Sequence, residues 1–528
     1  MMRRLAAGIV AAVCVAAGSL TAQQQPPVVH TASGDVSGVR NADGKIVSFK
    51  GIPFAAPPVG NLRWAPPAQV QPWQGVRAAN AFGASCMQNE HTGDMLPWTT
   101  EYLDHNQTSE DCLYLNVWTP KIAAAAKLPV IVFIHGGAFT EGSGAVPMYD
   151  GTNLAKTGLV IVTINYRLGV FGFFAHPELT AESPHHASGN YGLMDQVAAL
   201  AWVQENIANF GGDPQRVTIW GQSAGAMSIG DLLESPVAVG LFQRAMADSG
   251  IDIHSRISRD LKTAEQQGSA FAAQQHAASL KDLRAIPAAA LLAAEQGAAM
   301  HWGPIEDGWL MPANRKPAAS MVSVITGYQA NDSLLGAPQF SSAHDYTAWV
   351  EKNFGKAAPD FLKQYPAGNA EEANRMLAEA TRDGNRVAMY LWASQHELDT
   401  ARPVYTYYFD RAIPWPQHPE FGAFHSGELP YFFLNLSLMN RPWTAEDRRL
   451  SRICAAYLKN FAESGNPNGA TNVNVPDNGL PQWDAANPDS PATMELGAHV
   501  QSMPLASKEH VDFWTKYLEE LTAKSAGH

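Results

Sequence analysis

Residues Arg216–Gly225 read RVTIWGQSAG, and this stretch decides the fold that the chain is expected to adopt. The run RVTIW has the β-branched, apolar character of a buried strand, and the residues after Gly225 favour a helix. Between them stands Gly-x-Ser-x-Gly, the motif of a tight strand-to-helix turn that strains its serine and lifts the hydroxyl out of the sheet. Glycine on either side removes Cβ atoms that would clash there. The pattern predicts that Ser223 is a nucleophile, the alternative being a structural serine in a tight turn.

Apolar runs and helical stretches alternate on both sides of this motif. Helical spacing of apolar residues covers Tyr191 to Asn206, and the regions 240–320 and 335–400 are rich in Ala and helical in pattern. This alternation indicates an α/β protein with a mostly parallel central sheet covered by helices. We interpret the two Ala-rich regions as long cap-like insertions. The expected strands are continuous apolar or β-branched runs, as in a sheet covered on both faces: Leu128–Ile134, Leu159–Asn165, Arg216–Trp220, Val322–Thr326 and Val404–Phe409.

A His-Gly-Gly triplet, which begins at His135, directly follows the first of these strands. Glycines at the end of an earlier strand let the backbone approach a substrate without an intervening Cβ. In such a site another amide comes from the residue after the nucleophile, here Ala224. We expect the amides of Gly136, Gly137 and Ala224 to form an oxyanion hole, and we interpret His135 as structural. For the triplet alone, an ordinary turn is the alternative.

The first 22 residues have the character of a cleaved secretory signal. A short positive start precedes an apolar run from Leu5 to Ala17, which is too short to span a bilayer, and small residues follow it up to Ala22. We therefore expect a signal peptide over residues 1–22 and one domain over residues 23–528, an uncleaved anchor being the alternative. No later segment has 18 consecutive apolar residues, so no membrane span is expected.

Composition and charge exclude other classes of protein. With 46% hydrophobic residues and 14 Trp, the chain is able to bury a large core, so it is not a disordered protein. The 36 basic residues are scattered and outnumbered by 49 acidic ones, which gives a net charge of −13. This balance argues against nucleic acid as a partner.

The chain has four cysteines, two of which are expected to pair. Cys14 lies in the predicted signal, and Cys454 lies in an amphipathic helical pattern where it is expected to be a buried thiol. Cys86 and Cys112 flank a loop rich in turn and polar residues. In an exported protein these two cysteines form the expected disulfide.

Several ordered blocks of the chain resemble the type-B carboxylesterase/cholinesterase family. Phe210–Gly225 resembles the serine active-site signature of that family, and Glu110–Val117 resembles its second signature. The resemblance covers nearly the whole chain after the signal. It implies an α/β-hydrolase fold, carboxylic-ester hydrolysis without a cofactor or metal, and it supports the Cys86–Cys112 pairing. Further matching blocks are Phe49–Trp64, Asn165–Gly172, Gly189–Gln196, Leu241–Gly250 and Phe461–Asn468.

The catalytic base is assigned through this resemblance. The chain order Ser, then Asp or Glu, then His leaves several histidines as candidates after Ser223. Gly422–Phe433 resembles the family's block around its catalytic histidine and has His425 at the matching position. Glu428 in the same block resembles a supporting residue.

The acid is assigned in the same way. Gly327–Ser333 resembles the family's acid block, with Asp332 where Glu is usual and Ser333 where Gly is usual. Aspartate reaches one methylene less than glutamate, so the loop must compensate. Asp307 is the rival acid, although it matches a non-catalytic Asp-Gly of the family.

Four further residues are candidates for the substrate pocket. Gln222 stands where Glu is commoner before the nucleophile, so it removes a negative charge and is expected to alter the preference for cationic groups without touching the triad. The loop between Cys86 and Cys112 is expected to form a lid or a gorge wall, with Trp98 as an aromatic lining residue. Trp302 and Phe424 are the other candidates, for which buried packing is the alternative.

These features predict a serine carboxylic-ester hydrolase whose partner is a small-molecule ester. A non-enzymatic binding module is a second hypothesis, and a lipase, amidase or thioesterase is a third. The sequence determines neither the natural ester nor the oligomeric state. The expected location is the periplasm or the medium, and a glycan on the Asn-x-Ser triplet at Asn331 would obstruct the adjacent acid, which favours bacterial export.

Overall fold

The computed structural model describes residues 25–91, 93–253, 259–297, 300–312, 320–469 and 479–525. The predicted signal segment therefore lies outside the described residues. Within the described residues, the largest sheet has eleven strands: β1 Val39–Arg40, β2 Val47–Pro53, β3 Tyr114–Thr119, β4 Leu128–Ile134, β5 Val160–Ile164, β6 Gly212–Gln222, β7 Arg244–Asp248, β8 Ser323–Gln329, β9 Val404–Phe409, β10 Ala492–Leu496 and β11 Val500–Pro504.

The order of strands across this sheet is β11-β10-β9-β8-β7-β6-β4-β5-β3-β2-β1. Neighbours from β4 to β10 pair in parallel, and antiparallel pairs occur only towards the two edges of the described sheet. The predicted mostly parallel sheet is confirmed. Two smaller sheets accompany it, one of Val28–Thr31, Gly34–Ser37 and Val76–Ala78, the other of Ser85–Cys86 and Thr108–Ser109.

Both faces of the central sheet are buried. All residues of β5 and β9 are buried, as is β4 after its first residue. Along β4, Val130 and Val132 belong to one hydrophobic cluster, and Ile131 and Phe133 belong to another. Successive strand side chains point to opposite faces, so the two clusters are the layers between the sheet and the helices on either side.

The helices include Tyr191–Asn206, whose limits match the prediction. The helix that follows β6 begins at Ala224, directly after the nucleophile candidate. The α-helices are α1 Thr152–Ala155, α2 Gly169–Phe173, α3 Pro177–Glu182, α4 Tyr191–Asn206, α5 Ala224–Glu234, α6 Leu261–Gln274, α7 Leu280–Ala285, α8 Ala288–Gly297, α9 Ala343–Phe354, α10 Ala358–Gln364, α11 Ala370–Thr400, α12 Leu429–Phe432, α13 Ala445–Ser464 and α14 Lys508–Ser525.

The prediction that residues 240–320 form a helical insertion is wrong at its start. Arg244–Asp248 is strand β7, which pairs with β6 on one side and β8 on the other. Its sequence RAMAD has a charged residue at each end and small residues between them, so it lacks the apolar run that identified the other central strands. The rest of the region contains α6 to α8, and residues 335–400 contain α9 to α11, as expected.

The Cys86–Cys112 disulfide is present, with a Cα–Cα distance of 4.9 Å. Cys454 is a buried free thiol in α13. Among the residues that the structure describes, no helix combines the length and the apolar character needed to cross a membrane.

Candidate active site

The turn between β6 and α5 has the strained geometry that the sequence motif predicts. Ser223 lies between the two elements with φ 57° and ψ −124°, a conformation that residues with a side chain rarely adopt. A Cβ on Gly225 would collide with the carbonyl oxygen of Ile134, at the end of β4. Glycine is therefore required for the helix to start so close to the sheet, and the close approach holds the serine at the sheet's carboxyl end.

The loop after β4 lies against this turn. A Cβ on Gly136 would lie 2.9 Å from Ser223 Cβ, and Gly137 has φ +100°, in the region that favours glycine. Ala138 also has positive φ, at 53°. The backbone of this loop therefore passes directly beside the serine, and the first amides of α5 have no acceptor within their own helix. Gly136, Gly137 and Ala138 line the same cavity as Ser223.

His425, which lines that cavity, forms a short contact with Asp332 behind it. His425 Nδ1 lies 2.5 Å from Asp332 Oδ1, and the Asp332 side chain is only 6% exposed. The loops that carry the two residues are tied together, since the Asn331 amide donates to the Ala423 carbonyl at 2.9 Å. This tie explains how an aspartate, shorter than the glutamate usual in the resembling family, reaches the imidazole.

Gln222 contacts the imidazole of His425, contrary to the expectation that it leaves the predicted triad untouched. Its Nε2 lies 3.0 Å from His425 Nε2, and the residue is 3% exposed. In a regular strand, neighbouring side chains point to opposite faces. The positive φ of Ser223 breaks that alternation, so Gln222 and Ser223 both line the cavity.

The cavity has a volume of about 190 Å³. Much of its lining comes from the loop between Cys86 and Cys112, here named the disulfide-closed loop. Seven of its lining residues lie between Cys86 and Cys112, so this loop forms a cavity wall. The described lining residues include no Lys or Arg, whereas Asp104 and Glu141 contribute acidic groups. The lining residues are Gln88, His91, Met95, Trp98, Tyr102, Leu103, Asp104, Gly136, Gly137, Ala138, Glu141, Gly142, Tyr149, Gln222, Ser223, His425 and Ser426.

Trp98 joins this wall to the histidine. Its indole N–H donates to the His425 carbonyl at 3.1 Å and lies 3.3 Å from Ser426 Oγ. The Trp98 and His425 rings meet edge to face with centroids 6.3 Å apart. Trp98 therefore lines the cavity and also holds the backbone that carries the imidazole.

The other two candidate pocket residues lie outside the cavity lining. Trp302 is 2% exposed and packs against Phe174 and Phe271. Phe424 is also 2% exposed, and its ring packs against Tyr102, which does line the cavity. Both are packing residues, the alternative that their sequence context left open.

Asp307 and His135 are likewise placed away from the cavity lining. Asp307 Oδ1 accepts hydrogen bonds from the amides of Trp309 and Met311, at 3.0 and 2.8 Å, so it stabilises a turn. His135 is buried, stacks on Tyr166 and has its pKa lowered to about 4 by burial. These positions fit structural roles for both residues.

Two buried carboxyl groups lie within electrostatic range of Asp332. Burial raises the pKa of Asp248 to about 7, and Trp220 Nε1 donates to its Oδ2 at 2.6 Å. Burial, with the nearby Asp248 as a second cause, raises the pKa of Glu428 well above its usual range. A proton on Glu428 keeps a further negative charge away from Asp332, which is a physical basis for the supporting role expected of Glu428.

One group of side chains elsewhere has the composition of a metal site. Ligand atoms of Glu379, Asp383 and His510 lie within 4.8 Å of one another. Asp383, however, already accepts hydrogen bonds from Tyr365 at 2.9 Å, from His510 at 2.7 Å and from Arg386 at 2.5 Å. Its oxygens are occupied by these donors, so we interpret the group as an ion-pair network.

Sequence reasoning missed most of the cavity wall. Gln88 exchanges two hydrogen bonds with the Gly142 backbone, at 2.9 and 2.7 Å, and so joins the disulfide-closed loop to the loop that follows β4. Glu141 pairs with His91 at 2.7 Å. Tyr102 and Tyr149 complete the wall. The sequence carries no periodic signal for these positions, because they lie in irregular loops.

Comparison with known proteins shows similarity over nearly the whole chain. A profile described as the carboxylesterase family matches residues 25–514. The chain is 36% identical over 482 residues to fumonisin B1 esterase of Sphingopyxis macrogoltabida, a match that covers 87% of this chain and 86% of that protein. It is also 36% identical over 470 residues to para-nitrobenzyl esterase of Bacillus subtilis (strain 168), covering 83% and 90%.

A human relative and a solved structure extend the comparison. Cocaine esterase of Homo sapiens is 33% identical over 548 residues, covering 94% of this chain and 92% of that protein. The solved structure of a PNB esterase superposes with a TM-score of 0.76 at 32% identity, covering 92% of this chain and 99% of the other. The chain thus shares both sequence and the α/β-hydrolase fold with esterases.

Proposed function

This chain belongs to the carboxylesterase family and is a carboxylic ester hydrolase, and we propose that it acts through an acyl-enzyme on Ser223. In this proposal His425 is the general base and Asp332 is the orienting acid. The observation that carries it is the 2.5 Å contact of Asp332 Oδ1 with His425 Nδ1, the imidazole of which lines the same cavity as the strained Ser223.

The proposed reaction begins with proton transfer. The neutral imidazole keeps its proton on Nδ1, where the N–H donates a hydrogen bond to Asp332. The lone pair on Nε2 then accepts the Ser223 proton as Oγ attacks the ester carbonyl. The imidazolium then gives this proton to the leaving alcohol. A water molecule, deprotonated by the same imidazole, hydrolyses the acyl-enzyme and restores the free serine.

The oxyanion hole is assigned to the amides of Gly136, Gly137 and Ala224. The close approach to Ser223 of the loop that follows β4, here named the oxyanion loop, and the position of Ala224 at the start of α5 support this assignment. Each such donor is worth about 3 kcal/mol in the transition state in the best-studied serine hydrolase. The sharp turn and the glycine loop thus serve one purpose, which is to aim N–H groups at the developing negative charge.

We assign small, uncharged esters as the substrate class. The cavity of about 190 Å³ is below the roughly 300–1,000 Å³ typical of ligand pockets. Its described lining offers no Lys or Arg to an anionic substrate, and Asp104 and Glu141 would repel one. We expect kcat/KM to be higher for the neutral methyl succinate diester of an alcohol than for the anionic hemisuccinate of the same alcohol. We also expect kcat/KM to fall as the acyl chain becomes long. Equal values across this panel would contradict the assignment.

The nucleophile is tested by Ser223→Ala. We expect turnover of a short-chain chromogenic ester to fall by about 10³-fold or more, since the attacking oxygen is lost. Circular dichroism and the Tm serve as controls for folding. A fluorophosphonate probe should label wild type on Ser223 and leave the variant unlabelled, as read by mass spectrometry. Retained turnover in the folded variant would refute the assignment.

We also propose that the protein is exported, with residues 1–22 removed as a signal and residues 23–528 forming one domain. The Cys86–Cys112 disulfide supports an oxidising destination, because such bonds are rare in the cytosol. Amino-terminal sequencing of the mature protein should begin at Gln23. A mature protein that retains the apolar segment would contradict cleavage.

A further inference from the structure

The side chain of Gln222 lies between the His425 imidazole and the oxyanion loop. Its Nε2 lies 3.0 Å from His425 Nε2. On its other side, a Cβ on Gly136 would lie 3.1 Å from Gln222 Oε1, so the carboxamide oxygen borders the oxyanion loop. The residue is 3% exposed and is thus held in this orientation by its surroundings.

The chemistry of the contact is set by the opposite side of the imidazole. Because Nδ1 faces the Asp332 carboxylate at 2.5 Å, the proton of the neutral ring lies on Nδ1, and Nε2 is an acceptor. The Gln222 amide therefore donates to Nε2. Among the described residues, the hydrogen bonds of His425 include this one but none from Ser223 Oγ, so the lone pair that catalysis needs is held by Gln222 in the resting enzyme.

We propose that Gln222 is a positioning residue that holds His425 in its neutral form and, being uncharged, keeps the base available to lower pH than a carboxylate at this place would. The proposal rests on the function proposed above. A donor on Nε2 favours the unprotonated ring, since an imidazolium has no lone pair there. When substrate binds, the Ser223 hydroxyl replaces the amide as the donor to Nε2.

Several other ionisable groups lie around the imidazole and remain unchanged in the two Gln222 variants. Asp332 contacts it directly, while Glu141 lies on the oxyanion loop and lines the same cavity. Glu141 has no hydrogen bond to the imidazole among the described contacts, which makes it a suitable control. The remaining groups are His91 and Asp104 on the disulfide-closed loop, and the buried Asp248 and Glu428, which act on Asp332.

The test compares the pH dependence of kcat/KM in three variants. Gln222→Glu has the same shape but cannot donate when ionised, and its charge favours the imidazolium, so the midpoint of the acidic limb should rise by about 1 pH unit. Gln222→Met removes the donor without adding charge, and the midpoint should rise by about half a unit. Glu141→Gln, the matched control, should lower the midpoint by less than about 0.3 unit, since its charge is screened by water and His91.

The expected order of midpoints is therefore wild type, then Gln222→Met, then Gln222→Glu. A merely structural role would reduce activity at every pH and leave the midpoints together. Coincident midpoints in folded, active variants would overturn the proposal. If a variant is too slow for turnover assays, the pH dependence of its labelling by the fluorophosphonate probe provides the same midpoint.

Failure of the underlying function has a different signature. If Ser223 and His425 do not form the catalytic pair, wild type itself will not react with the probe at Ser223, and the proposal for Gln222 falls with it. If only the proposal for Gln222 is wrong, wild type will be labelled and active, but its acidic limb will match those of the two Gln222 variants.

Discussion

Removal of the Cys86–Cys112 disulfide should lower stability by an amount that follows from the length of the closed loop. The two cysteines are 26 residues apart. In the chain-entropy model, closing a loop of that length lowers the entropy of the unfolded chain by about 12 cal/mol/K. This loss of entropy stabilises the folded state by about 3.5 kcal/mol at 25 °C. Unfolding entropy is about 2.1 cal/mol/K per residue, so a chain of this size gains about 1 kcal/mol/K on unfolding. The Tm should therefore fall by only about 3 °C.

The perturbation is the double substitution Cys86→Ala with Cys112→Ala, measured by differential scanning calorimetry. Both sulfurs are buried, so their removal also has a packing cost. Cys454→Ala is the matched control, because it deletes a buried sulfur that forms no bridge. The double variant should lose about 3 °C beyond twice the effect of this control. A loss equal to twice the control would refute the argument that the bridge acts by restricting the unfolded chain.

The same substitution should also affect catalysis, since the bridge closes the loop that lines the cavity. Trp98 lies within that loop and donates to the His425 carbonyl. A looser loop would position the imidazole less well, so kcat should fall even at temperatures where the variant is fully folded. Unchanged kcat would show that the contacts within the loop suffice without the covalent link.

Two further predictions concern residues around the histidine. Trp98→Phe keeps an aromatic side chain but removes the indole N–H donor. We expect kcat to fall about 5- to 10-fold with the Tm little changed, because a hydrogen bond worth about 1 kcal/mol is lost. An unchanged kcat would exclude a positioning role for Trp98. Burial raises the pKa of Asp248 from 3.8 to about 7, so between these values the folded protein holds a proton that the unfolded chain has lost. The free energy of unfolding should therefore fall as pH rises through that window. In urea unfolding, the Asp248→Asn variant should show a flatter dependence of this free energy on pH, and an equal pH dependence would contradict the argument.

The parts of the fold that were predictable are those that local sequence determines. Strands β4 and β9 are continuous runs with both faces buried, so their limits could be read directly. The strand β7 was missed because its burial comes from β6 and β8 on either side, which no local pattern of RAMAD indicates. In this case the strand is buried through long-range pairing, which the sequence of the strand itself does not indicate.

The candidate site divides in the same way. Ser223 is marked by a local motif, because the turn requires glycines at fixed spacing. His425 and Asp332 were assigned only through family resemblance, since their meeting depends on a tie between two loops nearly a hundred residues apart. The cavity wall could not be predicted at all. Its residues lie in irregular segments, where neither period nor composition shows which side chain faces inward.

Gln222 shows how local reasoning about neighbouring residues can mislead. As the last residue of β6, it was expected to leave the triad untouched, and strand alternation would direct it away from the face that Ser223 occupies. The strained φ of Ser223 reverses that outcome, because the turn that exposes the nucleophile also places the preceding side chain in the same cavity. The residue before Ser223 thus contacts His425 as a consequence of the turn itself. Under the proposal made above, the presence or absence of a charge at this position then determines the pH range in which the imidazole is available as a base.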